Sequence, residues 1–207
     1  MTEAEWLTSD DLVAMLRFLS GRVSRRKKRL FGCAVCRDIW PLLTDERSRQ
    51  AVEVSERYAD GLADAKELAA AAQDARQAAD EAEQARAAGW NAARSAAATA
   101  DTPWAAAEQV VRSAAFDADL LRHVLGNPFR PPPPLAPSVL RWDGGTVKRL
   151  AEGAYEQRDR PAGTLDPARV AVLADALEEA GCADADLLRH LRGPGPHVRG
   201  CWARSEP

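Results

Sequence analysis

Apolar residues recur at the spacing of an α-helix along almost the whole chain, and this pattern limits the fold more than any other feature. In the segment TSDDLVAMLRFLSG, four apolar side chains fall on one helical face: Leu12, Met15, Leu16 and Leu19. Thr8 can cap the start of such a helix, and Gly21 can end it. Only residues 138–142, SVLRW, leave room for a strand. The sequence therefore predicts an all-α protein of about seven helices.

Start signals strengthen this prediction at several places. Asp64, Asp166 and Asp184 each precede a segment of helical spacing, and an aspartate there can accept a hydrogen bond from a backbone N–H of the first turn. Pro167 follows Asp166 at the first helical position, where a missing N–H costs nothing. We expect a helix to begin after each of these aspartates.

Alanine makes up half of the residues from 65 to 100, and the large apolar side chains there are Leu68 and Trp90. Alanine is the best helix former, and its small side chain lets a neighbouring helix approach closely, so we expect a long alanine-rich helix. Gly89 is a weak point, and the composition leaves open whether one helix runs through the whole segment. The alternative is a partly frayed spacer of low complexity. Trp90 and Trp104, each close to runs of alanine, either pack between helices or mark a surface where another protein docks.

A proline-rich segment divides the chain. Residues 127–140 contain four consecutive prolines, which favour an extended backbone without hydrogen-bond donors. We therefore predict a body like a helical bundle at residues 1–126, which includes the long alanine-rich helix, and a linker at 127–140. A small helical C-terminal piece follows at residues 141–207 and is expected to pack on or near the body.

Composition and charge indicate an ordinary globular protein. The net charge of −3 gives no reason to expect a polyanionic or polycationic partner for the whole chain. The chain lacks a run of about 20 apolar residues that could cross a bilayer, and its acidic start, MTEAEWLTSDD, differs from a signal peptide. We expect a cytoplasmic protein with no membrane contact, whose four cysteines are reduced.

The heptapeptide DADLLRH occurs twice, at residues 117–123 and 184–190, and a glycine follows each histidine three positions later. Leucines that dock, cations in the last turn and a terminating glycine are all typical of a helix end. We favour shared helix-end chemistry as the explanation. A duplicated helix pair and a functional pair of histidines, His123 and His190, are the alternatives.

Two pairs of residues could together bind zinc. Cys33 and Cys36 form a C-x-x-C pair, and His197 and Cys201 lie four positions apart near the C-terminus. Zinc takes four nitrogen or sulfur ligands, so these residues can form a structural site if the two ends of the chain meet. The favoured alternative is that Cys33 and Cys36 are buried thiols, because they fall on the apolar face of a predicted helix. The sequence suggests no other cofactor.

Five consecutive basic residues suggest a second kind of site. Such a run can neutralise the phosphates of a nucleic acid or bind another anion. It lacks nearby aromatic residues that could stack on bases, and a solvated first turn of a helix is the simpler interpretation. The residues are Arg25, Arg26, Lys27, Lys28 and Arg29.

The sequence offers little material for catalysis. It contains three histidines, and it lacks a glycine-rich phosphate loop, a G-x-S-x-G nucleophile motif and an H-E-x-x-H zinc motif. We therefore predict a helical interaction or scaffold module without enzymatic activity, whose partner is another protein. The alternative function is a module that binds nucleic acid or another anion through the basic run, with or without a structural zinc ion.

Several segments resemble an uncharacterised family of planctomycete-type bacterial proteins. The resemblance rests on RKKRLFGCAVCRDIWPLL, LGNPFRP, TVKRLAEGAYEQR and LADALEEAGCADADLLRHLRGPGPHVRGCW. The family combines an N-terminal helical block, a middle rich in alanine and tryptophan, and a C-terminal HVRGCW signature. The resemblance marks His197, Arg199 and Cys201 as positions of interest. It assigns them no role, since no activity is established for the family.

Overall fold

The computed structural model of the chain describes residues 1–85, 90–101, 118–131, 134–160 and 162–203. Every regular element within these residues is helical, and an isolated β-bridge joins Thr164 to Val198. The predicted all-α class is confirmed. The described residues form eleven α-helices, whereas the sequence predicted about seven.

The helices follow one another along the chain with short connections. They are α1 (Glu3–Thr8), α2 (Leu12–Leu19), α3 (Arg25–Asp38), α4 (Glu46–Ala59), α5 (Ala65–Gln84), α6 (Trp90–Asp101), α7 (Ala118–Leu125), α8 (Pro137–Arg141), α9 (Thr146–Glu156), α10 (Pro167–Glu179) and α11 (Ala185–Leu191). Two short 3₁₀ helices lie at Trp40–Leu42 and Trp142–Gly144.

Local capping explains most helix starts. Asp64, Asp166 and Asp184 cap α5, α10 and α11 through their side chains, as predicted. The cap of α2 is Asp11, whose carboxylate accepts from the N–H of Ala14, so the predicted cap at Thr8 is wrong. Thr8 instead ends the additional helix α1.

Two short helices, α1 and α8, account for part of the difference between the eleven helices of the structure and the predicted number. α1 forms because Thr2 and Glu5 exchange hydrogen bonds in a capping box, which satisfies two backbone donors at its start. α8 occupies the region where the sequence left room for a strand, and Pro137 stands at its first position.

The alanine-rich segment contains two helices that pack against each other. The predicted long alanine-rich helix is α5, of 20 residues, and it ends at Gln84 instead of continuing through the segment. Both helices also pack on α4. Ala72, Ala75 and Ala96 are fully buried, because their methyl side chains let the helix backbones approach closely. Trp104 and the side chain of Trp90 lie outside the described residues, so their expected role in packing or partner binding stays a prediction.

Two apolar cores organise the rest of the molecule. The N-terminal core contains Trp6, Met15 and Phe31 from α1 to α3, together with Leu121 of α7. The C-terminal core joins α8 to α11. Val198, far along the chain, belongs to the N-terminal core, so the C-terminal turn, residues 193–202, reaches across to the body. None of the described helices is both long and apolar enough to cross a membrane.

Gly200 fixes how closely this turn approaches α3. Its φ of +91° lies in the left-handed region, and a Cβ at this position would lie 2.6 Å from Cβ of Leu30. A real side chain cannot be accommodated there unless the turn or α3 moves.

We therefore predict that Gly200→Ala destabilises the protein more than Gly21→Ala. Gly21 also has a positive φ, +81°, but nothing lies within 4 Å of its missing Cβ. The control should cost about 1 kcal/mol for the strained backbone, and Gly200→Ala at least about twice that, since overpacking adds to the strain. Urea unfolding of both variants measures the difference, and equal losses would contradict the close contact.

Candidate metal centre

The three histidines of the chain lie together, although they come from different parts of the sequence. The ring centroids of His190 and His197 are 5.1 Å apart, and those of His123 and His190 are 5.2 Å apart. His123 and His197 are separated by 6.2 Å. His123 ends α7 of the body, His190 ends α11, and His197 lies in the C-terminal turn, so the cluster sits where the two cores meet.

One thiol completes a compact set of donors. His190, His197 and Cys201 each place a ligand atom within 4.8 Å of the other two. Nε2 of His190 lies 2.8 Å from Sγ of Cys201. Two imidazoles and a thiol in this arrangement are the donor types that zinc selects in proteins.

One ring nitrogen of His197 has no hydrogen-bond partner. Its side chain is 2% exposed, and its Nε2 donates a hydrogen bond to the carbonyl oxygen of Gly193 at 3.3 Å. Because Nε2 then carries the proton, Nδ1 keeps a lone pair. This Nδ1 is buried, and no hydrogen bond reaches it. An unsatisfied buried polar atom costs free energy, and a metal ion bound at Nδ1 would remove that cost.

Burial and neighbouring histidines keep the imidazoles of His190 and His197 neutral. Burial, with contributions from His197 and His123, lowers the pKa of His190 to about 3. Burial also lowers the pKa of His197, against the hydrogen bond to Gly193, which raises it. Neutral imidazole is the form that binds a metal, so these two side chains are ready ligands.

The thiol behaves in the opposite way. Burial raises the pKa of Cys201 to about 11, although Lys27 acts to lower it. The thiol is therefore protonated at neutral pH, and it must release its proton when it binds an ion. A bound cation would then take the place of the proton on Sγ of Cys201.

Lys27 holds the turn that carries Cys201. Its Nζ donates to the carbonyl oxygens of Gly200 at 2.7 Å, Cys201 at 3.2 Å and Val124 at 3.1 Å. A single ammonium group thus joins α3, the end of α7 and the C-terminal turn.

Other members of the basic run also make contacts within the protein. Arg26 donates to the carbonyl oxygen of Ala59 and pairs with Asp60 at 2.7 Å. The guanidinium of Arg29 lies over the ring of Tyr58, 5.0 Å from its centroid. Lys28 is half-buried, and Arg25 is exposed.

Arg199, between the two candidate donors of the turn, His197 and Cys201, is anchored in a buried ion network. It pairs with Asp60 and with Glu56, the latter at 3.3 Å. Tyr155 donates its hydroxyl hydrogen to Asp60 at 2.7 Å. Arg37 adds two hydrogen bonds of 3.0 Å to Glu56, which is 1% exposed. The network fixes the backbone of the turn and hence the positions of His197 and Cys201.

Cys33 and Cys36 do not join this group of donors. They lie in a separate apolar cluster with Trp40 and Val52, and Sγ of Cys33 donates to the carbonyl oxygen of Val52. Burial raises the pKa of Cys33 and, for Cys36, raises it to about 12. These positions agree with the interpretation as buried thiols. The structure thus brings together only the C-terminal half of the predicted zinc set.

His190 is the candidate donor that the zinc prediction did not include, and the repeat was the signal that could have found it. Both copies end a helix, as expected, and the structure also brings the two copies' histidines side by side. A pattern within one helix cannot reveal that two helix ends meet.

The chain matches no known protein-family model, no curated protein and no solved structure. The resemblance to the planctomycete-type family therefore stays a prediction, and the site is interpreted from its geometry alone.

The ion network predicts a dependence of stability on pH. Burial alone would raise the pKa of Asp60, but hydrogen bonds from Tyr155, Arg199 and Arg26 outweigh it, so the pKa lies below its usual value. A lowered folded-state pKa stabilises the protein above the unfolded value of about 3.9, and this stabilisation is lost as the pH falls through the folded-state pKa.

We expect the free energy of unfolding of the wild type to exceed that of Asp60→Asn at neutral pH, and the gap to shrink below about pH 4. Urea unfolding of both proteins between about pH 7 and pH 3 measures this gap. A gap of constant size across that range would show that the Asp60 charge does not stabilise the fold.

Proposed function

We propose that this protein is a zinc-binding helical scaffold without catalytic activity. One Zn²⁺ ion would be held by Nε2 of His190, Nδ1 of His197 and the thiolate of Cys201. The observation that carries the proposal is the group His190, His197 and Cys201, whose ligand atoms lie within 4.8 Å of one another and whose His197 has a buried Nδ1 without a hydrogen bond.

The mixed donor set supports zinc over other common ions. Calcium and magnesium prefer oxygen ligands, whereas imidazole and thiolate together suit zinc. Two neutral imidazoles and one thiolate also reduce the charge of the bound ion to a net +1, which makes its burial less costly.

Burial supports a structural role for the ion. His197 and Cys201 are 2% and 7% exposed, and the indole of Trp202 covers His190 with ring centroids 4.8 Å apart. An ion so enclosed stabilises the packing of the segments that supply its ligands. It would join α11 to the turn whose Val198 lies in the N-terminal core.

The proposed role as a scaffold for a protein partner follows from this stabilisation of the packing. The ion would hold the C-terminal piece against the body and so present one continuous helical surface. Nucleic-acid binding has less support, because Arg26, Lys27 and Arg29 already contact groups within the protein.

Metal analysis and binding of Zn²⁺ to purified full-length protein test the proposal. We expect about one Zn²⁺ per chain in the wild type, and an affinity loss on the order of 100-fold in Cys201→Ser. Cys182→Ser is the matched control, since Cys182 is also a buried thiol but lies outside the donor group. Zinc at 100 times its wild-type Kd should stabilise the wild type and the control by about 2.7 kcal/mol, and Cys201→Ser by only about 0.4 kcal/mol.

Two results would count against this assignment. Less than about a tenth of an equivalent of zinc, together with no thermal stabilisation by added Zn²⁺, would exclude the site. Loss of binding in a Cys33→Ser, Cys36→Ser double variant but not in Cys201→Ser would place the ion at the N-terminal pair instead.

A further inference from the structure

His123 lies beside the three donors described above. Its ring is in contact distance of His190, yet it stands just outside the group whose ligand atoms all approach one another. We propose that His123 is the fourth zinc ligand, so that three imidazoles and one thiolate close the coordination sphere. This inference rests on the zinc-binding function proposed above.

The spacing of the rings supports a tetrahedral arrangement. Two imidazoles on one tetrahedral zinc have ring centroids about 5.2 Å apart, because each Zn–N bond is about 2.0–2.1 Å and the angle between bonds is about 109°. The pairs His190–His197 and His123–His190 are 5.1 Å and 5.2 Å apart. The third pair, at 6.2 Å, requires the ring of His123 to move toward His197 by about 1 Å.

The hydrogen bonding of His123 leaves the correct nitrogen for the ion. Its Nδ1 lies 2.9 Å from the carbonyl oxygen of Asp119, and a carbonyl oxygen only accepts. Nδ1 therefore donates, and Nε2 keeps its lone pair. A metal-binding histidine commonly donates its other ring N–H to a carbonyl or a carboxylate in this way.

Backbone contacts hold His123 next to the turn that supplies Cys201. The carbonyl oxygen of His123 accepts a hydrogen bond of 3.0 Å from the N–H of Trp202. Three residues further, Gly126 lies so close to this tryptophan that a Cβ would meet its Cβ at 3.0 Å. The backbone of His123 is thus fixed, while its half-buried side chain needs only a small rotation to reach the ion.

A ligand from α7 changes what the ion connects. His190, His197 and Cys201 all belong to the C-terminal part of the chain, whereas His123 belongs to a helix of the N-terminal core. With four protein ligands, the ion directly joins the body to the C-terminal piece. It also leaves no position for water or substrate, as in structural zinc sites.

Cobalt substitution of the full-length protein tests this. Co²⁺ occupies tetrahedral zinc sites, and its visible absorption is intense when four ligands bind it and weak when five or six do. We expect intense bands in the wild type. His123→Ala should lose Co²⁺ affinity on the order of 100-fold and should show altered bands, since water replaces the imidazole.

Rescue by imidazole distinguishes a ligand from a packing residue. Added imidazole should restore the wild-type bands in His123→Ala, because it fits the space left by the side chain and supplies the missing nitrogen. His123→Phe keeps a ring in that space without a nitrogen, so imidazole should not restore the bands. The comparison of how the two Co²⁺ spectra respond to imidazole is valid only if both variants are folded. Circular dichroism verifies this.

The possible results separate this inference from the proposed function. If His123→Ala binds Co²⁺ with the affinity and spectrum of the wild type, His123 is not a ligand, and a three-ligand zinc site remains. If imidazole fails to change the His123→Ala spectrum, the inference is likewise overturned. If the wild type itself binds neither Co²⁺ nor Zn²⁺, the zinc-binding function fails as well.

Discussion

One buried carboxylate, Glu56, accepts hydrogen bonds from three arginines, and the position of the C-terminal turn depends on it. Glu56 is 1% exposed, so three cations share one buried anion, and Asp60 neutralises part of the excess positive charge. Removing one partner of such a buried network leaves charges unpaired, at a cost of about 3–5 kcal/mol. Arg199 is the member that comes from the turn, so charge pairing determines where that turn sits on the body.

The ion network and the candidate metal centre support each other. Arg199 lies two residues from both His197 and Cys201, so the contacts that pair its charge also place the two donors. Lys27 adds a second clamp on the same turn from α3. The network leaves Nδ1 of His197 unsatisfied, at a cost of about 1–3 kcal/mol for a buried polar atom. A bound cation would satisfy that nitrogen without moving the backbone that holds it.

Local signals in the sequence predicted the helices well. Asp64, Asp166 and Asp184 were recognised as caps because an N-cap needs only a short polar side chain and the N–H groups of the next turn. The sequence predicted a long alanine-rich helix but not its end at Gln84, because alanine favours a helix of any length and gives no signal for where it should end. The extra helix α1 depends on a capping box at Thr2 and Glu5, which lies so near the N-terminus that periodicity could not show it.

The sequence by itself determined the all-α class, three helix starts and two of the three candidate donors, His197 and Cys201, because these depend on residues within one or two turns of each other. Tertiary structure alone decided that His190 joins them, that His123 lies beside it, and that Cys33 and Cys36 lie elsewhere. His123 and His190 are 67 positions apart in the chain. Their meeting depends on how two separate cores pack together, and the burial and ion pairing that fix this packing leave no regular pattern in the sequence.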